Sequence, residues 1–101
     1  MRHYTISVSP EAEADIERVY NYIAYEVMVP DVALCYYFGI YDTIRKLAYL
    51  GNVLAVSSRE SLRLLYGDNV RTISYKKITI IYNIIGEIVY IRRVIASSIV
   101  R

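Results

Sequence analysis

The chain has 101 residues, a single cysteine, a single histidine and a formal net charge of +2, which excludes a disulfide framework and a multi-cysteine metal site. Apolar residues make up 55% of it. That suits one domain spanning residues 1–101, with about two-thirds of its unfolded surface buried, and it leaves apolar surface to be reserved for a partner. No apolar run approaches the roughly 20 residues of a membrane span, and Met1-Arg2-His3-Tyr4-Thr5 has no signal-peptide apolar region, so a cytoplasmic location is expected.

Tyr4-Thr5-Ile6-Ser7-Val8 alternates apolar and polar residues and reads as an edge strand. Ser9 then caps a helix with Pro10 at its first position, where a missing N–H costs nothing. Glu11, Glu13 and Asp15 sit near the positive end of that helix and read as a solvated acidic face. Ile16, Val19, Tyr20, Ile23 and Val27 fall at helical spacing and are the expected buried stripe. Val29-Pro30-Asp31 breaks the helix and opens a second one. Its core face is Ala33, Tyr36, Tyr37, Ile40, Ile44, Leu47 and Ala48, and its stop signal is Gly51-Asn52. The short link makes the two helices an antiparallel hairpin. Gly39, mid-helix, costs about 1 kcal/mol against alanine and suggests a close approach between the helices.

Residues 53–68 are ambiguous: two apolar pieces, Val53–Val56 and Leu62–Tyr66, flank a polar centre and suit a short strand or a turn of helix. After the turn signal Gly67-Asp68-Asn69, three β-rich segments follow, Val70–Tyr75, Ile78–Ile85 and Ile88–Ala96. Gly86-Glu87 suits a type II′ hairpin, and Ile78–Ile85, apolar on both faces, belongs in the middle of a sheet. The order is β-α-α-β-β-β, an α+β layer in which a two-helix hairpin packs on an antiparallel β-meander and the first strand returns to the sheet beside it.

Little in the sequence points to catalysis. His3 has no nucleophile nearby in sequence, Cys35 reads as a small buried or half-buried hydrophobe, and no phosphate loop, zinc spacing or carboxylate metal loop is present, so no cofactor and no metal are expected. Twelve tyrosines, among them Tyr36, Tyr37, Tyr41 and Tyr49, suit a core or a partner-facing surface more than base stacking. Charge is uneven: residues 1–58 carry seven acids against four bases, and residues 59–101 carry eight bases against three acids. Arg71, Lys76, Lys77, Arg92 and Arg93 thus gather on the sheet. Such a cluster could hold a phosphate and stabilise charge developing on it; the plainer reading is that Arg71 and Arg93 form salt bridges or meet an acidic partner.

Taken together, Ser9-Pro10-Glu11-Ala12-Glu13-Ala14-Asp15-Ile16, Tyr20-Asn21-Tyr22-Ile23-Ala24, Pro30-Asp31-Val32-Ala33, Val70-Arg71-Thr72-Ile73, Ile80-Ile81-Tyr82 and Val89-Tyr90-Ile91-Arg92-Arg93-Val94 resemble, in order and spacing, the RelE/ParE toxin superfamily over nearly the whole chain. The resemblance implies the toxin, or plasmid stabilisation protein, of a bacterial type II toxin–antitoxin pair, neutralised by an antitoxin that wraps it, as a homodimer or a heterotetramer with that antitoxin. RelE-like members cleave mRNA in the ribosome, and ParE-like members inhibit DNA gyrase. The nuclease set requires basic residues at three places and a tyrosine near the C terminus. Arg71 fits the first, but Thr79 stands at the second, Ser97-Ser98 near the third, and no tyrosine follows Tyr90. The resemblance is therefore closer to ParE. It makes Tyr37, Tyr41, Arg71, Arg92 and Arg93 the candidates for binding target or antitoxin. Arg71, Lys76, Lys77 and Arg93 would be the catalytic set only in the alternative, a metal-independent ribonuclease; a degenerate member that only binds antitoxin is the third possibility.

Overall fold

The computed structural model describes residues 3–99. Strand β1 (Thr5–Val8) leads into helix α1 (Pro10–Asn21). Ser9 caps α1 as its sequence implies: its Oγ accepts from the Ala12 N–H at 3.0 Å, satisfying one of the otherwise unpaired first-turn donors. The helix then widens into a π-helical turn, Tyr22–Glu26, closed by the Val27 N–H on the Tyr22 carbonyl at 3.0 Å. The expected stripe therefore ends early: Ile16 is buried, Val19, Tyr20 and Ile23 are half-buried, and Val27 is 49% exposed. Met28 reverses the chain with a φ of 62°, a left-handed conformation costly for a side chain of this kind. Pro30 opens helix α2 (Pro30–Leu50), as expected of a proline at the first helical position.

The ambiguous stretch resolves into an extended segment and a short helix, α3 (Glu60–Tyr66). Val56 makes an isolated antiparallel bridge to Arg71. With seven residues, α3 presents only Leu62 and, one turn on, Tyr66 to the molecule, too short a stripe to be read as periodic. The meander follows as β2 (Arg71–Tyr75), β3 (Ile78–Ile85) and β4 (Ile88–Ala96), and Ser97–Ile99 forms a 3-10 turn; Val100 and Arg101 lie outside the described residues. The sheet order is β1-β4-β3-β2, with β1 parallel to β4 and the other pairs antiparallel. The predicted α+β layer is present, with α3 added.

The helical hairpin covers one face of the sheet. Ala12, Ile16, Ile40, Ile44 and Leu47 pack against Ile80, Tyr82, Val89 and Ile91. On the opposite face α3 covers only one region, where Leu62 meets Val70 and Ile81. Both faces of β3 are thus occupied, and its residues Ile78 to Asn83 are all buried, which explains why this strand carries apolar residues on both faces. Gly39 does not serve helix–helix contact as expected. The ring of Tyr75, on β2, lies against its Cα, where any Cβ would overlap ring atoms, and the Tyr75 hydroxyl donates to the Cys35 carbonyl at 3.3 Å. Cys35 itself is exposed rather than buried.

A β-bulge interrupts the β3–β4 ladder: Ile81 pairs with Arg93 but Tyr82 pairs with Ile91, so Arg92 has no residue across from it. Bulges re-aim side chains, and this one falls at the two consecutive arginines.

Candidate functional site

Each arginine of the sheet is held differently. Arg93 forms a two-pronged ion pair with Asp15 of α1, Nε to Oδ2 at 2.6 Å and a terminal nitrogen to Oδ1 at 3.0 Å. Asp15 is only 2% exposed. It is no part of a solvated face, contrary to expectation, because its Oδ2 also accepts the Val94 N–H at 2.9 Å and its Oδ1 accepts from Arg18 at 2.8 Å. The topology explains this carboxylate. β1 ends at Val8 opposite Ile91, so the rim of β4 beyond that point lacks a strand, and Asp15 supplies the acceptor a strand would have supplied. Burial pushes the Asp15 pKa up, but the hydrogen bonds from Arg93, Val94 and Arg18 outweigh it and hold the carboxyl below its ordinary value. The hydrogen bonds that Arg93 donates to Asp15 likewise hold its guanidinium more firmly protonated.

Arg71 points into the junction after α2. One terminal nitrogen donates to the carbonyls of Gly51 at 3.2 Å and Leu54 at 2.8 Å. Its cross-strand neighbour Tyr82 donates its hydroxyl to the same Gly51 carbonyl at 2.8 Å. Burial pushes the Tyr82 phenol up to about 12. The Arg71 side chain thus closes the end of α2, whose last carbonyls lack partners within the helix.

Arg92 is oriented without a carboxylate among the described residues. Its Nε donates to Asn83 Oδ1 at 2.8 Å, and its guanidinium lies 5.8 Å from the Tyr90 ring centroid. Asn83 is fixed in turn by donating to the Tyr66 carbonyl at 3.0 Å and to Asn69 Oδ1 at 2.9 Å. Lys76 and Lys77 form the β2–β3 turn; Lys76 takes a φ of 52° and places its ammonium 5.1 Å from the Tyr36 ring and 5.5 Å from the Tyr75 ring. Tyr37 and Tyr41 lie away from all of these, in an aromatic group on the helical hairpin. Tyr37 contacts Tyr20, Phe38 and Tyr41, with centroids 6.0, 5.6 and 5.1 Å away, and burial, with Tyr37 close by, raises the Tyr41 pKa.

Arg71, Lys76, Lys77 and Arg93 therefore do not converge on one point. Arg71 faces the end of α2, Arg93 turns round the β4 rim to α1, and the lysines sit at the meander's turn. Among the described residues, no three histidines, cysteines or carboxylates are grouped to hold a metal, and His3 packs edge-on against Tyr49.

A concavity adjoins the Asp15–Arg93 pair. A groove of about 720 Å³ runs between the π-helical turn and the start of α2 on one side and the end of β4 on the other. Val19, Ile23, Val27, Val32, Val94 and Ile95 give it apolar walls, and Asp15, Arg18, Lys77 and Arg93 are its charged residues. Beyond it the hairpin tip carries exposed Tyr22, Tyr25, Met28 and Val29. Sequence reasoning placed Val27 in the core; the Pro30 break only eight residues after Tyr22 was the available sign that this end of the helix is a rim.

No family model and no curated protein matches the sequence. Solved structures do match it in fold. A chain of the chromosomal ParDE TA system from P. aeruginosa superposes with a TM-score of 0.77 at 19% identity, covering 93% of this chain and 96% of that one. A chain of the toxin-antitoxin complex RelBE2 from Mycobacterium tuberculosis gives 0.60 at 15% identity, covering 93% of this chain and 98% of that one. The RelE/ParE-type fold inferred from the motifs is thus shared with both, and the ParDE chain superposes better.

Proposed function

We propose that this protein is the toxin of a type II toxin–antitoxin pair, neutralised by an antitoxin, and that it arrests growth by binding a protein target, DNA gyrase on the ParE resemblance. The shared fold with chains of a ParDE and a RelBE2 assembly supports the toxin reading. The choice of a binding mode over catalysis rests on one observation: Arg71 and Arg93 are turned to partners within the molecule, Arg71 to the Gly51 and Leu54 carbonyls and Arg93 to Asp15. A phosphate-cleaving site needs cations aimed together at the developing charge, and here Arg71 and Lys76 lie apart from the groove that Lys77 and Arg93 share. Arg92, held in place by Asn83 and Tyr90 without a counter-ion among the described residues, suits a contact to an acidic surface of a target.

The test is induction of the chain in a bacterial host carrying a DNA-damage reporter, with purified protein assayed for inhibition of gyrase supercoiling. Growth arrest with reporter induction and intact mRNA is the expected result. Ribosome-dependent mRNA cleavage lost in Arg71→Ala would instead establish the nuclease. Normal growth despite accumulation of folded protein would leave a non-toxic antitoxin-binding chain.

A further inference from the structure

We infer that the aromatic group on the outer side of the helical hairpin receives arginine side chains from a basic segment of a partner protein, with Glu13 and Glu17 as their counter-ions. The inference goes beyond the proposed function and does not depend on which target the chain has.

Three observations carry it. The first is the clustering of the rings. Tyr20 of α1 and Phe38 and Tyr41 of α2 all stand against Tyr37, at interplanar angles of 77°, 86° and 59°. The rings thus form tilted walls rather than a flat stack. They are not core: Phe38 is 59% exposed and Tyr37 36%, and Tyr20 and Tyr41 are half-buried. The second is the lack of a cation. Elsewhere the chain lays its own cations over rings, Lys76 over Tyr36 and Tyr75, and Arg92 over Tyr90. Among the described residues none lies over the rings of the hairpin group. The third is charge. Glu13, Glu17 and Tyr20 follow one another at spacings of four and three, which puts both acids on the Tyr20 side of α1. Both acids are exposed, and no ion pair among the described residues engages either. Glu13 is near enough to Tyr41 that its charge adds to burial and to Tyr37 in raising the phenol's pKa. Arg45, one turn beyond Tyr41, is turned to Asp42. Exposed ring faces beside unpaired carboxylates attract a cation. The same carboxylates repel phosphates, so this face does not suit a nucleic acid or an anionic membrane. Arginine fits better than lysine, because its planar guanidinium stacks on a ring while its edge donates to a carboxylate.

The probe is a short flexible peptide carrying several arginines among glycines and serines. One twin has lysines for the arginines, and another has citrulline, which keeps the shape of arginine without its charge. Binding to the full chain is read by fluorescence anisotropy at low and at raised salt. The arginine peptide is expected to bind, the lysine twin more weakly and the citrulline twin not at all, and salt should weaken the binding. Phe38→Ala and Glu17→Gln, both at exposed positions, should each weaken the arginine peptide by about threefold or more, with the circular dichroism of the native fold unchanged. Glu60→Gln removes an exposed acid on α3, across the sheet from the hairpin, and should leave binding as it was. Failure of the arginine peptide to bind at about 1 mM, equal binding of the citrulline twin, an equal effect of Glu60→Gln and Glu17→Gln, or binding indifferent to Phe38→Ala would each overturn the inference. So would self-association of the free chain that Phe38→Ala abolishes, since a second copy would then be the occupant of this face.

Discussion

Asp15 is the residue on which the β4 rim depends. Removing it leaves the buried Val94 N–H without an acceptor and the half-buried Arg93 without its pair, and breaking a pair of which one partner is buried is costly. Asp15→Ala is expected to lower unfolding stability by about 3 kcal/mol, measured by urea denaturation; Asp15→Asn, which keeps an acceptor for Val94, should lose less. The pH dependence follows from the depressed carboxyl. The pair's contribution is complete above the ordinary carboxyl value of 3.8 and disappears as pH falls through the lower folded value, because the unfolded chain takes up the proton first. Acid titration of wild type against Asp15→Asn should show a stability gap that holds steady above that value and closes on the acid limb. Tyr82 works in the opposite direction. Its phenol is raised to about 12, so the neutral buried form contributes fully below the ordinary value of 10.0, and that contribution fades as pH climbs toward 12. Tyr82→Phe should flatten this alkaline loss while costing about 1 kcal/mol at neutral pH for the hydrogen bond to Gly51.

At the scale of elements, Gly39 reverses an expectation drawn from helix propensity. In an open helix Gly→Ala stabilises by about 1 kcal/mol, but here the added methyl meets the Tyr75 ring. Gly39→Ala is expected to destabilise by about 1–3 kcal/mol, and a double-mutant cycle with Tyr75→Ala should show strong coupling, with most of the penalty gone once the ring is removed. The same contact ties α2 to β2 and positions the Lys76-Lys77 turn over Tyr36. The π-helical turn and the left-handed Met28 belong to the same scale: they end α1's core stripe early and leave Val27 on the groove, where an uninterrupted α-helix would have continued the buried face.

For the whole molecule, the large apolar fraction is accounted for by two populations. One is the core under the helical hairpin, with a smaller cluster beneath α3. The other is exposed: the hairpin tip with Tyr22, Tyr25 and Met28, and the outer side of α3, where Leu64 and Leu65 are 79% and 73% exposed. Surface of this kind is expected to be covered in a complex. A partner that binds only the folded chain raises its stability by mass action, by about 2.7 kcal/mol at a hundredfold excess over Kd. Thermal unfolding of the protein with and without the proposed antitoxin should show a clear upward shift of the midpoint.

The strand and helix boundaries of the hairpin and meander were legible because they depend on local chemistry: Ser9-Pro10 and Pro30 open helices, Gly86 takes the positive φ of 60° its turn requires, and the two-sided apolar run of β3 can sit only inside a sheet. The RelE/ParE-type fold could be inferred from the order of those pieces. α3 was not legible, because seven residues are too few to display a period, and the roles of Asp15, Gly39, Arg71 and Arg93 were not, because each is set by a neighbour 17 to 78 residues away in sequence. An acid in the first turns of a helix reads as solvated until the strand end that it caps is brought beside it. That placement, decided only when β1 stops short along β4, determines which cations are free and where the groove lies.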